Sequence, residues 1–360
     1  MPPDSEIERM IASFERALEG RSNYLIGLIG LAEVVASKKQ QFRAFELCRK
    51  ALAIGAGDAE VTVRARRLMS SLVRGYHVPM MNDARRNAAW NKALSRSIHP
   101  RTRALEIGTG GGMLALTAAR AGAEKVTTCE RDPILARIAR EIVVRNGFAD
   151  RIDVIAKPSA KLVPGEDIKA PADLLFCDIF GDSLLDLEPL AALVDARRRL
   201  TTPDAVVVPA AGALRLALAH WESYSIFARV DHAAGFDLTP FADFVPASIR
   251  VPIGDRALLL RSPDVEVLRF DFAAFSQPLQ GRTEFALAAS DDAVVNGIVH
   301  WIRLELDADT ILEARPEPGA SFFSCPHFWP LSAPISMRRG DILRVGVAHD
   351  EKRLTIWPAP

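Results

Sequence analysis

An apolar run, Ala104-Leu105-Glu106-Ile107, ends in the turn Gly108-Thr109-Gly110-Gly111-Gly112, and about twenty residues later Val126-Thr127-Thr128-Cys129 is closed by Glu130. A buried strand, a glycine turn, a helical segment and a second strand ending in an acid form the βαβ unit of a nucleoside-cofactor site. Such a unit commits its part of the chain to a parallel sheet with the ligand at the carboxyl ends of the strands. A dinucleotide turn needs a third glycine at its sixth position, where the helix presses on the strand beneath the pyrophosphate. Counting from Gly108, that position is Met113, which argues against NAD or FAD.

Around this unit the chain divides into three regions. Residues 1–75 carry apolar residues at helical spacing with few breakers, and Leu28, Leu31, Ala32, Val35, Ala44, Cys48 and Ala51 fall at the large and small positions of one tetratricopeptide-like repeat. A plain helical cap fits the same pattern. Residues 76–218 alternate apolar runs (126–129, 152–155, 174–177, 206–208) with helical stretches such as 135–146, a doubly wound α/β domain. Residues 219–360 turn to short β-rich pieces, 226–230, 250–251, 257–260, 265–272, 299–305, 342–347 and 354–357, punctuated by Pro, Gly and Asp, which predicts a β-sandwich or barrel.

Composition sets the outer limits. The 360 residues suggest two or three domains, and a hydrophobic content of 49% is ample for their cores. Formal net charge is zero, so neither nucleic acid nor an anionic membrane is expected as a partner. The start Met1-Pro2-Pro3-Asp4-Ser5 has no signal-peptide character and no apolar run is long enough to span a bilayer, so cytoplasmic residence is expected. Cys48, Cys129, Cys177 and Cys325 are scattered without a CxxC pair, which reads as reduced core thiols and no metal site. His77, His220, His300 and His327 stand beside aromatic or apolar residues and show no ligand spacing.

The stretch Glu106 to Gly112 resembles the first motif of class I S-adenosylmethionine (SAM) methyltransferases. Upstream, Tyr76-His77-Val78-Pro79-Met80-Met81-Asn82-Asp83-Ala84-Arg85-Arg86 is similar to the amino-terminal motif of protein arginine methyltransferases. Residues 121–126, 235–238 and 298–301 are similar to that family too, so the likeness runs from 76 to about 347 and points to its branch with amino-terminal tetratricopeptide helices. The resemblance implies SAM as cofactor, with Glu106, Gly108, Gly110 and Gly112 forming the turn and Glu130 accepting from both ribose hydroxyls. It implies Arg86 on the SAM carboxylate, a task for a guanidinium fork. Met80 would lie near the sulfonium, His77 on the substrate side, and Ser159 and Ala160 against the adenine. Asp132 reads as a helix cap. Family members pair through an arm of the β domain, which implies a homodimer.

The acceptor half departs from the pattern. An arginine substrate stays protonated, and the family orients it with two carboxylates nine positions apart in the loop after the fourth strand. Asp178 takes the first position, one methylene short, while the second falls on Leu187, between Asp186 and Glu188. Five acids and no base from Asp173 to Glu188 predict a negative mouth and a cationic substrate. The family also has a Thr-His-Trp loop lining the arginine channel. One alignment puts His327 and Phe328 in it, and another, anchored on Pro334 and Gly340-Asp341, leaves no histidine there. Three readings stay open: arginine methylation of a protein or peptide, with Asp178 and either Glu188 or Asp186 as the pair; methylation of a small cationic substrate; or a silent SAM-binding scaffold.

Overall fold

The computed structural model describes residues 4–18, 20, 23–185, 189–228, 230–252, 254–274, 281–317, 321, 323–350 and 353–360. Helices α1 (Asp4–Leu18), α2 (Tyr24–Ser37), α3 (Gln41–Ile54) and α4 (Ala59–Leu72) form the amino-terminal region. All seven repeat-position residues predicted above are buried, and small Ala32, Ala44, Cys48 and Ala51 let α2 and α3 approach closely. Arg49 of α3 grips Glu141 with both terminal nitrogens, at 3.0 and 3.1 Å, and so ties this region to the next.

Two helices, α5 (His77–Met81) and α6 (Ala84–Ser97), lead into the α/β unit: β1 (Arg103–Ile107), α7 (Met113–Arg120), β2 (Lys125–Cys129), α8 (Pro133–Arg145), β3 (Ile152–Ile155), β4 (Ala172–Cys177), α9 (Pro189–Leu200) and β5 (Thr201–Val208). The five strands run parallel in the order β3-β2-β1-β4-β5. This order reverses direction at β1, so the ends of β1 and β4 flank a crevice. Asp132 caps α8 as predicted, accepting from the N–H of Ile134 and Leu135, with Pro133 as the first helical residue.

The remaining strands are antiparallel. They are β6 (Ala211–Trp221), β7 (His232–Ala233), β8 (Phe236–Asp237), β9 (Ile249–Arg250), β10 (Leu258–Leu260), β11 (Val265–Asp271), β12 (Gly281–Ala288), β13 (Ala293–Asp307), β14 (Thr310–Glu313), β15 (His327–Met337), β16 (Ile342–His349) and β17 (Leu354–Pro358). A seven-stranded sheet built on β10-β6-β13-β15-β9 packs against the three-stranded sheet β12-β16-β17 over a core that includes Leu216, Val295, Trp329 and Val345. Gly297 of β13 is required by this packing: a Cβ there would lie 2.1 Å from the Phe328 ring on β15.

Two differences from the sequence reading have physical causes. Residues 211–218, which periodicity leaves with the α/β region, start β6 of the antiparallel sheet; nearly every residue of β6 is buried, so it lacks the alternation that marks an antiparallel strand. The run 226–230, predicted as a strand, opens as a helical turn, Ser225–Ala228, whose Ile226 and Phe227 are exposed. Their apolar character reports a surface rather than a sheet. No helix among the described residues is long and apolar enough to cross a membrane.

Candidate active site

The glycine turn is fixed by its neighbours. Gly108 and Thr109 donate their N–H to the Cys129 carbonyl at 3.0 and 3.1 Å, which locks the end of β1 to the end of β2. Gly108, Gly110 and Gly112 all have positive φ, where a side chain is strained. A Cβ on Gly108 would lie 2.4 Å from Ile179 Cγ2, and one on Gly111 would lie 2.6 Å from Met81 Sδ. The turn is therefore enclosed from both sides, by the loop after β4 and by α5.

Glu130 reaches back over this turn. Its Oε2 accepts from the Gly110 N–H at 3.0 Å and its Oε1 from the Asp132 N–H at 2.9 Å. Both oxygens are thus oriented at the carboxyl end of β2. Glu106 lies beneath, 1% exposed, with Oε2 accepting from Thr128 Oγ1 at 2.6 Å and Thr109 Oγ1 at 2.9 Å. Burial pushes its carboxyl up to about 7, against the pull of those two hydroxyls. This places Glu106 under the turn as its support. The His77 ring lies tilted against Tyr76, and its Nδ1 is buried beside Gly110 with no hydrogen-bond partner among the described residues; burial lowers the imidazole below its ordinary range. Met80 is half-buried on α5, Ser159 is buried in a short 3₁₀ turn after β3, and Ala160 is exposed.

Arg86 and Asp178 meet across the crevice. Arg86 Nε donates to Asp178 Oδ2 at 2.6 Å, and the two side chains are only 3% and 7% exposed. Arg86 Nη1 also donates to Asn87 Oδ1 at 3.1 Å, and its backbone N–H to Oδ1 of Asp83, the cap of α6, at 3.0 Å. The arginine and the acid that the sequence reading assigned to the two halves of the site are therefore joined in one buried pair.

Of the five acids behind the predicted negative mouth, the three that are described contribute less charge than their count implies. Asp173 sits at the opposite end of β4, accepting from the Arg103 N–H, Asp178 is held by Arg86, and Asp182 is held by Arg250 at 2.8 Å. Charges that stand alone in the sequence are paired in space. The expected second acids, Asp186 and Glu188, lie outside the described residues. His327 begins β15 and contacts Asp182 Oδ2 at 3.2 Å and Ser248 Oγ at 3.4 Å, rather than Asp178.

Asp182, Asp83, Arg250 and Ser321 were not singled out by sequence. Burial alone would raise the Asp182 carboxyl, but hydrogen bonds from His327 and the Cys325 N–H, with the Arg250 charge, outweigh it and hold it down at about 2. Ser321 Oγ donates to Asp83 Oδ2. Each of these contacts joins the α/β unit to the β region over more than 60 residues of chain, and no local motif marks them.

Residues that can hold an adenosine and an amino-acid group fit the site: a glycine cradle that admits no side chain at Gly108 or Gly111, an oriented acid after β2, and a buried arginine. Together with the 3-2-1-4-5 sheet, they define a SAM-dependent methyltransferase. Residues 89–205 match the family described as Ribosomal protein L11 methyltransferase (PrmA). The arginine N(omega)-methyltransferase of Streptomyces achromogenes subsp. streptozoticus is 33% identical over 287 residues, covering 78% of each chain. The protein arginine N-methyltransferase 7 of Drosophila grimshawi is 30% identical over 272 residues, and the match spans 69% of this chain but only 37% of that relative.

Among solved structures, the Trypanosoma brucei PRMT1 enzyme-prozyme complex with AdoHcy is similar at TM-score 0.69 and 23% identity, covering 80% of this chain and 93% of that one. Arabidopsis thaliana protein arginine methyltransferase 10 is similar at TM-score 0.63 and 19% identity, covering 75% and 86%. These two likenesses concern the fold. The chain belongs to the arginine N-methyltransferase family.

Proposed function

We propose that the chain transfers a methyl group to a guanidinium nitrogen of arginine in a protein substrate, and the buried Arg86–Asp178 pair carries the reading. It sets the residue suited to an amino-acid carboxylate directly against the residue suited to a guanidinium. SAM supplies an electrophilic methyl group. Glu130 would hold the ribose hydroxyls, Ser159 and Ala160 would flank the adenine, Met80 would lie near the sulfonium, and Gly108, Gly110 and Gly112 would let the backbone approach closely. Asp178 accepts from the substrate guanidinium, localises its charge and directs one nitrogen lone pair at the methyl group. Glu188 or Asp186 is the second carboxylate.

The deciding experiment is transfer from labelled SAM to arginine-rich peptides, free arginine and a lysate of the source cell, with acceptors read by mass spectrometry. Methylarginine in peptide is expected. Label on free arginine alone would move the substrate to the small molecule, in keeping with the name of the Streptomyces relative. SAM binding without label anywhere would leave a scaffold. In the same protein, Glu130→Ala is expected to weaken SAM binding by about 1.5–3 kcal/mol, the worth of hydrogen bonds to a charged group. An unchanged calorimetric affinity would remove Glu130 from the ribose.

The homodimer and the cytoplasmic location belong to the same proposal. Phe241 and Phe244, in ring contact and exposed at 61 and 76%, lie with exposed Phe236 in the excursion between β6 and β9 and supply apolar surface suited to a second copy. Phe244→Asp is expected to shift the chain to monomer in sedimentation equilibrium; an unchanged mass would place the contact elsewhere. Four free thiols suit a reducing compartment, which fractionation of the source cell would check. Helices α2 and α3 are read as a single tetratricopeptide-like pair.

A further inference from the structure

The loop that carries Asp178 leaves β4 and passes through Gly181, with only two short-range bonds over its described residues, from the Leu184 N–H to the Gly181 carbonyl and from the Leu185 N–H to Ser183 Oγ. Tertiary contacts complete the work: Phe180 stacks on Phe272, Arg250 of β9 pairs with Asp182 at 2.8 Å, and one short segment of the β region adds hydrogen bonds at two points. At one end of segment 321–327, Ser321 Oγ donates to Asp83 Oδ2, while the other oxygen of Asp83 accepts the Arg86 backbone N–H. At the other end, the Cys325 N–H and Ser324 Oγ donate to Asp182 Oδ1 at 2.8 and 3.1 Å, and His327 Nε2 meets Asp182 Oδ2 at 3.2 Å. His327 is itself set by stacking on buried His300, at 5.3 Å between centroids, whose Nδ1 accepts from Trp329 Nε1 at 2.8 Å. The contacts close a ring: Asp178 to Arg86, Arg86 to Asp83, Asp83 to Ser321, along the segment to Asp182, and back along the loop to Asp178.

We propose that Ser321 and residues 323–327 act as a positioning strap which, by holding Asp83 at one end and Asp182 at the other, fixes the Arg86–Asp178 pair in a single geometry for methyl transfer. The inference rests on the reading of the site given above. His327 is then a positioning residue that acts through Asp182, and the β region shapes the acceptor end of the site through this segment. Displacement of a reacting group by about 1 Å can cost about 100-fold in rate, so a loop held at both ends matters to turnover more than to binding.

The test combines kinetics with hydrogen exchange on the full chain. Asp182→Asn is expected to lower kcat about 10- to 100-fold, with the SAM dissociation constant and the acceptor KM within about threefold. His327→Phe, which loses the contact to Asp182, should match it, whereas His327→Gln, which keeps a donor, should retain at least about a third of the wild-type kcat. Amide exchange over residues 179–185 should rise about tenfold in Asp182→Asn while β1 is unchanged. A kcat within about twofold of wild type in both Asp182→Asn and His327→Phe would overturn the strap. So would His327→Gln as slow as His327→Phe, or exchange that is unchanged in the loop or raised equally in β1. Should wild-type protein methylate no acceptor, the methyl-transfer reading fails, and the exchange arm still decides whether the strap holds the loop.

Discussion

Asp178→Ala is expected to reduce methyl transfer by about 10³-fold, the combined worth of orienting a guanidinium and localising its charge. SAM affinity should hold or tighten in the same variant. The substitution frees Arg86, 3% exposed, from its present carboxylate, and a buried guanidinium gains more from a new anion than one already paired. Single-turnover assays and calorimetric titration separate the two effects. Turnover within about tenfold of wild type would take Asp178 out of the acceptor site.

Arg86→Ala should be the most destabilising single substitution in the site. It strands Asp178, 7% exposed, as an uncompensated charge, and removing one partner of such a pair typically costs about 3–5 kcal/mol. The double variant Arg86→Ala/Asp178→Ala should recover at least about 2 kcal/mol of that loss, because the stranded charge leaves with its partner. Thermal midpoints of the four proteins, measured without cofactor, close the cycle. Additive effects would mean that the 2.6 Å contact contributes nothing beyond its separate halves.

The glycine turn, the acid packed over it and the cap of α8 are legible in the sequence because their determinants are local. Three glycines at positive φ, an acid at the end of the next strand and an aspartate before Pro133 each act within a few residues of where they stand. The same holds for the seven small and large residues packed between α2 and α3. The acceptor half obeys different physics. Whether Asp182 is a solvated acid or a half-buried, paired one depends on Arg250 and His327, 68 and 145 residues away, and no periodicity encodes that meeting. Counting acids without their partners overstates the negative charge of the loop, because Asp178 and Asp182 are each paired. Strand β6 misled for a related reason: burial on both faces erases the alternation by which antiparallel strands are recognised.

The passage from β5 to β6 takes two residues, Pro209 and Ala210, and Ala210 is bonded on both sides, its N–H to the Glu305 carbonyl and its own carbonyl to the Phe272 N–H. One apolar cluster runs through both sheets, from Leu105 and Phe176 to Phe272, Ile302 and Leu304. A clamshell needs a seam along which two bodies can part, and here the bodies are welded by a shared interior. Ligand exchange in such a molecule is a matter of small doors rather than swinging halves. Of the two pieces that rest on the glycine turn, the loop after β4, through Ile179, is tied down at Asp182, which leaves α5, through Met81, as the one placed to serve as such a door.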